Sequence, residues 1–149
     1  MDANDRGCEL RSVIVATARS WAGTRYHHQA SCRGVGTDCL GLVRGVYREV
    51  YGVDAEQPPA YSADWAEALG RETLLEAAAR HLAAKSVGNA RPGDVVVFRI
   101  RREARAKHVA ILTSATTMVH AVETSGAVEA VLTPWWRRRI AAVFAFPGT

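Results

Sequence analysis

No run of apolar residues in this chain approaches the roughly 20 needed to cross a bilayer, and it holds no internal repeat and no low-complexity tract. A helical membrane span, a solenoid and a flexible linker protein are thereby excluded. Cysteine is scarce, with only Cys8, Cys32 and Cys39. An odd number without repeated spacing indicates neither a disulfide framework nor a zinc-ligand pattern, so no metal is expected and free thiols are the simplest state. The opening stretch "MDANDRGCEL" lacks a basic region followed by an apolar core. We therefore expect synthesis in the cytoplasm without a signal peptide. What is present is ordinary for a globular chain: 48% apolar and 23% charged residues over 149 positions, enough for one domain spanning 1–149. The net charge of +4 suggests affinity for polyanions without choosing among nucleic acid, acidic wall polymer and membrane surface.

Between Glu9 and Trp21, Leu10, Val13, Ile14, Ala18 and Trp21 recur at helical spacing and Gly23 supplies a stop, which predicts a core-facing helix. Residues 22–36 are punctuated by glycine, serine and threonine and read as a loop. Thr37 or Asp38 can cap a second helix from Cys39 to Tyr51, where Leu42, Val43, Val46, Tyr47 and Val50 form the apolar stripe and Gly52 closes the run. Residues 53–91 read as an extended helical insertion. It comprises a proline-bearing loop, then "AEALGRETLLEAAARHLAAK" as one or two exposed amphipathic helices on which His81 is solvated, then a turn at "NARPGD". Beyond it the chain changes character. Strands are predicted at "VVVFRI", "HVAILT", "TMVHAV", "AVEAVL" and "AAVFAF". Helices followed by a run of strands give an α+β fold, with N-terminal helices packed on an antiparallel sheet.

Cys39 opens the second helix. There the free amide hydrogens and the helix dipole favour a thiolate, and the same amides could stabilise an oxyanion in acyl transfer. Alternatively the residue is core, since free cysteine is among the most buried residue types. His108 starts one predicted strand and His120 lies in the next. Adjacent antiparallel strands can set them side by side, so that His108 takes the thiol proton while His120 orients its ring.

These blocks carry a resemblance. "GTDCLGLV", "RPGDVVVF", "KHVAIL" and "MVHA" are similar, in order and spacing, to the motifs of the NlpC/P60 cell-wall peptidases, over roughly Trp21 to His120. The resemblance implies a papain-like fold and a cysteine endopeptidase that cleaves murein stem peptides at the D-glutamyl-diaminopimelate bond without a cofactor. Position by position it makes Cys39 the nucleophile, His108 the general base and His120 the third polar residue. It also makes Tyr26 the tyrosine that binds substrate or lines the oxyanion site, and Asp38 a contact for the substrate's amino group. Without the resemblance, Tyr26 reads as an amphipathic core-edge residue and Asp38 as a helix cap. The stretch "YHHQASCRGVGTDCLGLVRGVYREVYG" further resembles the cell-wall peptidases of tailed phages and gene-transfer agents. That implies tail or hub proteins as partners, incorporation in a phage-like particle, and action in the periplasm during wall penetration.

The chain departs from the family pattern in three places. Leu40 stands where a serine commonly follows the nucleophile, "HHQA" at 27–30 replaces a tryptophan and glycines, and the 53–91 connection is longer than in minimal members. That connection could be a cleft wall, a lid or a docking surface. His27 and His28 point apart in an extended segment and read as loop, and Cys32 reads as a passive loop residue. "WWRRRI" and "RIRREARAK" could grip phosphate, glycan or acidic peptide, or simply be solvated surface. Two rivals stand beside the peptidase: a non-catalytic tail-hub protein that keeps the fold, favoured by Leu40 and the altered loop, and a nucleic-acid binder using the arginine clusters, which is the weaker.

Overall fold

The computed structural model describes residues 2–56 and 72–149. Helix α1 runs over Ala3–Ser20, six residues earlier than the apolar spacing predicts, because Asp2 caps it by accepting the Asp5 amide hydrogen at 2.9 Å. The polar first turns carry no apolar stripe, so periodicity could not find them. A short hairpin, β1 (Ser31–Cys32) and β2 (Gly36–Thr37), leads into α2 (Cys39–Tyr51), which ends on Gly52 in the left-handed conformation. Of the insertion, the described part is α3 (Thr73–His81), β3 (Ala83–Lys85) and a single 3-10 turn at Val87–Asn89. Residues 57–71, including the first part of the predicted amphipathic stretch, lie outside the described residues.

The predicted strands follow as β4 (Val95–Phe98), β5 (His108–Leu112), β6 (Thr117–Val122), β7 (Gly126–Val131) and β8 (Ile140–Ala145). A four-residue helix, α4 (Pro134–Arg137), joins the last two. Together with β3 they form one antiparallel sheet in the order β3-β8-β4-β5-β6-β7. The predicted α+β class is thus observed. One segment differs: "AAK", expected to continue a helix, is an edge strand paired with β8 through Ala83↔Ala145 and Lys85↔Val143. Tertiary pairing here overrides alanine's helix preference.

Alternation along the strands sorts side chains onto two faces. Val95, Val97, Val109, Ile111 and Val119 face the helices and join Ile14, Trp21, Leu42 and Val46 in the main core. Val96, Phe98, Ala110, Leu112 and Met118 make a second cluster on the opposite face, against which Trp136 packs. The helices meet closely because Gly45 of α2 receives the fully buried Trp21, whose ring would lie 2.1 Å from a Cβ at that position. Behind the site, the "RPGD" turn is more than a turn. Fully buried Asp94 accepts from Arg11 Nη1 and Lys85 Nζ, each at 2.8 Å, and from the Arg91 amide, tying α1, β3 and the start of β4 together.

Candidate active site

Asp38 is the cap of α2, as its position before the apolar stripe suggested. Its Oδ1 accepts the Gly41 amide at 2.7 Å and its Oδ2 accepts the amide of Gln29 at 2.8 Å, a residue held at φ 66°. The carboxylate is buried. It therefore fixes both the helix start and the loop before it, with Cys39 between them. Gly41 has no room for a side chain, since a Cβ would stand 1.9 Å from the Ala30 carbonyl oxygen. That close approach seats the loop on the first turn of α2.

Cys39 Sγ lies against the backbone of β5 on both sides of His108. It donates to the Lys107 carbonyl at 3.6 Å and receives the Val109 amide. The sulfur can do so because β5 pairs with β6 at Ile111↔Val119 and Leu112↔Met118, a ladder that stops short of His108. Burial pushes the Cys39 thiol up to about 12, and the neighbouring Asp38 charge adds to this, while the Val109, Leu40 and Cys39 amides pull the other way. The expectation of a thiol acidified by its helix start is thus corrected. Desolvation outweighs the amides.

His108 and His120 fall on the same sheet face, and Nε2 of His108 stands 2.9 Å from Nδ1 of His120 in a hydrogen bond. Burial drives His108 down to about 3, with His120 adding to the effect, and burial lowers His120 as well. Both rings are neutral near pH 7, so the resting site holds a neutral thiol and two neutral imidazoles. The wall that keeps them dry is Trp136, stacked on His108 at 5.2 Å between centroids and edge-on to His120 at 5.3 Å, with Phe98 edge-on to Trp136 at 4.8 Å. Sequence reasoning missed Trp136, treating "WWRRRI" as a gripping or solvated segment. The Thr133-Pro134 start signal could have placed both tryptophans on one helical turn, but no local signal points that turn at the histidines.

Tyr26 bridges to Thr37 beside the helix start, and burial together with the Cys39, Asp38 and Glu123 charges raises its phenol to about 12. It shares the electrostatic neighbourhood of the thiol and stays an O–H donor at neutral pH. The structure thus brings Tyr26, Asp38 and Cys39 together at one end of α2, and His108 and His120 together on the sheet beside it. His27 and His28 lie exposed in the loop, and Cys8 and Cys32 are exposed free thiols. His81 is not a freely solvated helix residue, because its Nε2 bonds Glu56 Oε2 at 2.8 Å.

The family model described as the NlpC/P60 family matches residues 20–144. The chain belongs to the NlpC/P60 family. Among curated proteins it is similar to the murein DD-endopeptidase MepS/murein LD-carboxypeptidase of Escherichia coli strain K12, at 27% identity over 135 residues, covering 90% of this chain and 62% of that protein. The chain thus spans under two thirds of the length of this relative. Among solved structures, the NlpC/p60 domain of the peptidoglycan hydrolase SagA superposes with a TM-score of 0.67 at 21% identity, covering 91% of this chain and 98% of that one. The peptidoglycan hydrolase RipB from Mycobacterium tuberculosis superposes with a TM-score of 0.64 at 16% identity, covering 94% and 66%. These likenesses establish the NlpC/P60 fold, helices on one antiparallel sheet. No described helix is long and apolar enough to cross a membrane.

Proposed function

We propose that this NlpC/P60 chain is a cysteine endopeptidase that hydrolyses the stem peptides of peptidoglycan, with Cys39 as nucleophile. The observation that carries the reading is the placement of the Cys39 sulfur on the backbone flanking His108, whose Nε2 is committed to His120. That commitment leaves Nδ1 as the nitrogen open to the thiol. For Nδ1 to accept a proton, Nε2 must carry the ring hydrogen and donate it to His120 Nδ1, so neutral His120 fixes the basic tautomer of His108. Because the resting pair is neutral, the proton moves from Sγ to Nδ1 as sulfur attacks, not before.

In the first half-reaction Sγ bonds to the amide carbon, the C–N bond breaks, and the proton on His108 leaves with the amine. Water then splits the thioester, giving its proton to His108 and returning the thiol. The Tyr26 hydroxyl and the Cys39 amide are donors for the developing oxyanion. The Asp38 carboxylate caps the helix that begins at Cys39 and sets a negative charge beside the nucleophile, which suits a substrate ammonium. No step requires a cofactor.

The favoured bond is D-glutamyl-diaminopimelate, on the resemblance of "GTDCLGLV" and "KHVAIL" to the family's motifs. The Escherichia coli relative, a murein DD-endopeptidase/murein LD-carboxypeptidase, supplies the competing bonds, DD and LD. The resemblance of residues 26–52 to phage and gene-transfer-agent wall peptidases supports carriage by a phage-like particle and action in the periplasm. Incubation with purified diaminopimelate-containing muropeptides, read by mass spectrometry, tests the reading. Fragments ending in D-glutamate are expected. Fragments from a DD or LD bond would correct the bond, and intact substrate would overturn the activity.

A further inference from the structure

Beyond the histidines, α4 carries a second arrangement that the proposed chemistry does not use. Trp136 faces inward, but Trp135 is 42% exposed and stands edge-on to Trp136 at 4.9 Å. The Arg139 guanidinium lies over the Trp135 ring, with its carbon 3.6 Å from the centroid. The same side chain donates Nε to the Ile100 carbonyl at 3.2 Å and Nη1 to the Trp135 carbonyl at 2.9 Å. A ring face and two carbonyls therefore fix its orientation, and among the described residues no carboxylate lies within ion-pair distance of it. Most arginines of this chain with a fixed guanidinium are paired, as Arg11 is to Asp94, Arg80 to Glu56 and Arg99 to Glu72.

Of the five guanidinium N–H groups, the two carbonyls occupy two, leaving Nη2 and the second hydrogen of Nη1 without a partner among the described residues, a planar fork. Such a fork matches a carboxylate in two parallel hydrogen bonds, and its rotamer is already fixed before binding. Its place is defined by ring contacts: Arg139 touches Trp135, Trp135 touches Trp136, and Trp136 covers His108. A sugar would need an open ring face, whereas one face of Trp135 is already covered by the guanidinium. The fork favours an anion.

We infer that Arg139, braced on Trp135 and separated from His108 by Trp136, is a subsite for a free carboxylate of the D-glutamyl or diaminopimelyl residue of the stem peptide. The inference rests on the peptidase reading for the identity of the ligand, so binding and hydrolysis are measured separately. The binding arm uses Cys39→Ala protein, titrated calorimetrically with the tripeptide L-alanyl-γ-D-glutamyl-diaminopimelate and with versions amidated at each of its three free carboxylates in turn, one on D-glutamate and two on diaminopimelate. Adding Arg139→Gln is expected to weaken binding of the free acid about ten-fold, and the loss should vanish for the peptide amidated at the carboxylate that Arg139 holds. Arg139→Lys, which keeps the charge but not the fork, should fall between. It also guards against a Gln variant that does not fold, which thermal melting would reveal.

Equal losses for free and amidated peptides, unchanged binding in folded Arg139→Gln protein, or no binding by the parent would each overturn the inference. Hydrolysis by the Cys39-containing protein is scored alongside. Its absence overturns the peptidase reading, while the binding arm still decides the role of Arg139.

Discussion

Two neutral histidines, His108 half-buried and His120 buried, make the stability of this protein fall in mildly acidic solution, and the size of the fall is set by the structure. His108 is held down to about 3 against an ordinary value of 6.5, and His120 is lowered in the same direction. A histidine whose folded pKa is depressed takes up its proton on unfolding, so its stabilising contribution is complete above about pH 6.5 and is lost as pH falls from there towards the folded value. Each such group removes up to about 1.4 kcal/mol per pH unit, so His108 alone costs about 2 kcal/mol between pH 7 and 5, and His120 adds to the loss in the same direction. Carboxylates with lowered values, Glu56, Glu72 and Glu129, act at lower pH and leave this window to the histidines. Urea unfolding at pH 7, 6 and 5 measures the slope directly. His108→Asn should remove the part due to His108. A free energy that stays level from pH 7 to 5, or a slope unchanged in both His108→Asn and His120→Asn proteins, would refute the neutral pair.

Four further outcomes are expected. With its thiol raised to about 12, Cys39 in the free enzyme should alkylate roughly 10³-fold more slowly at pH 8 than an unperturbed cysteine, as peptide mass spectrometry of iodoacetamide-treated protein would show. His120→Ala should lower kcat/KM on muropeptides about 10²-fold by freeing the His108 tautomer, with His120→Asn recovering part of it, and equal activity in all three proteins would remove His120 from the mechanism. Gly45→Ala drives a methyl into the Trp21 ring and should cost about 1–3 kcal/mol, read as a Tm lower by several degrees. Asp94→Asn leaves Arg11 and Lys85 without their buried counter-charge and should cost about 3 kcal/mol or more in urea unfolding.

Local signals made much of this fold legible. The start and stop of α2 follow from a capping Asp38, a three-to-four-residue apolar spacing and Gly52, and β6 occupies the same residues as the predicted strand "TMVHAV". Where non-local contacts decide, the reading fell short. Ala83–Lys85 is an edge strand because β8 offers it a ladder, although its residues favour helix. The early turns of α1 depend on one side-chain cap. At the site, the pairing of His108 with His120 could be anticipated from adjacent strands, whereas the covering by Trp136 could not, since it joins residues brought together only by the tertiary fold. The sign of the thiol's shift was also hidden. Helix position predicts acidification, but burial is a tertiary quantity and it wins.

The claim on which the mechanism stands is that the Cys39 sulfur attacks the peptide bond. Digestion of diaminopimelate-containing muropeptides by wild-type and Cys39→Ala proteins, matched for folding by circular dichroism and compared by mass spectrometry, tests it. New stem-peptide fragments from the wild type alone are the predicted result. The same fragments at a similar rate from Cys39→Ala would contradict it.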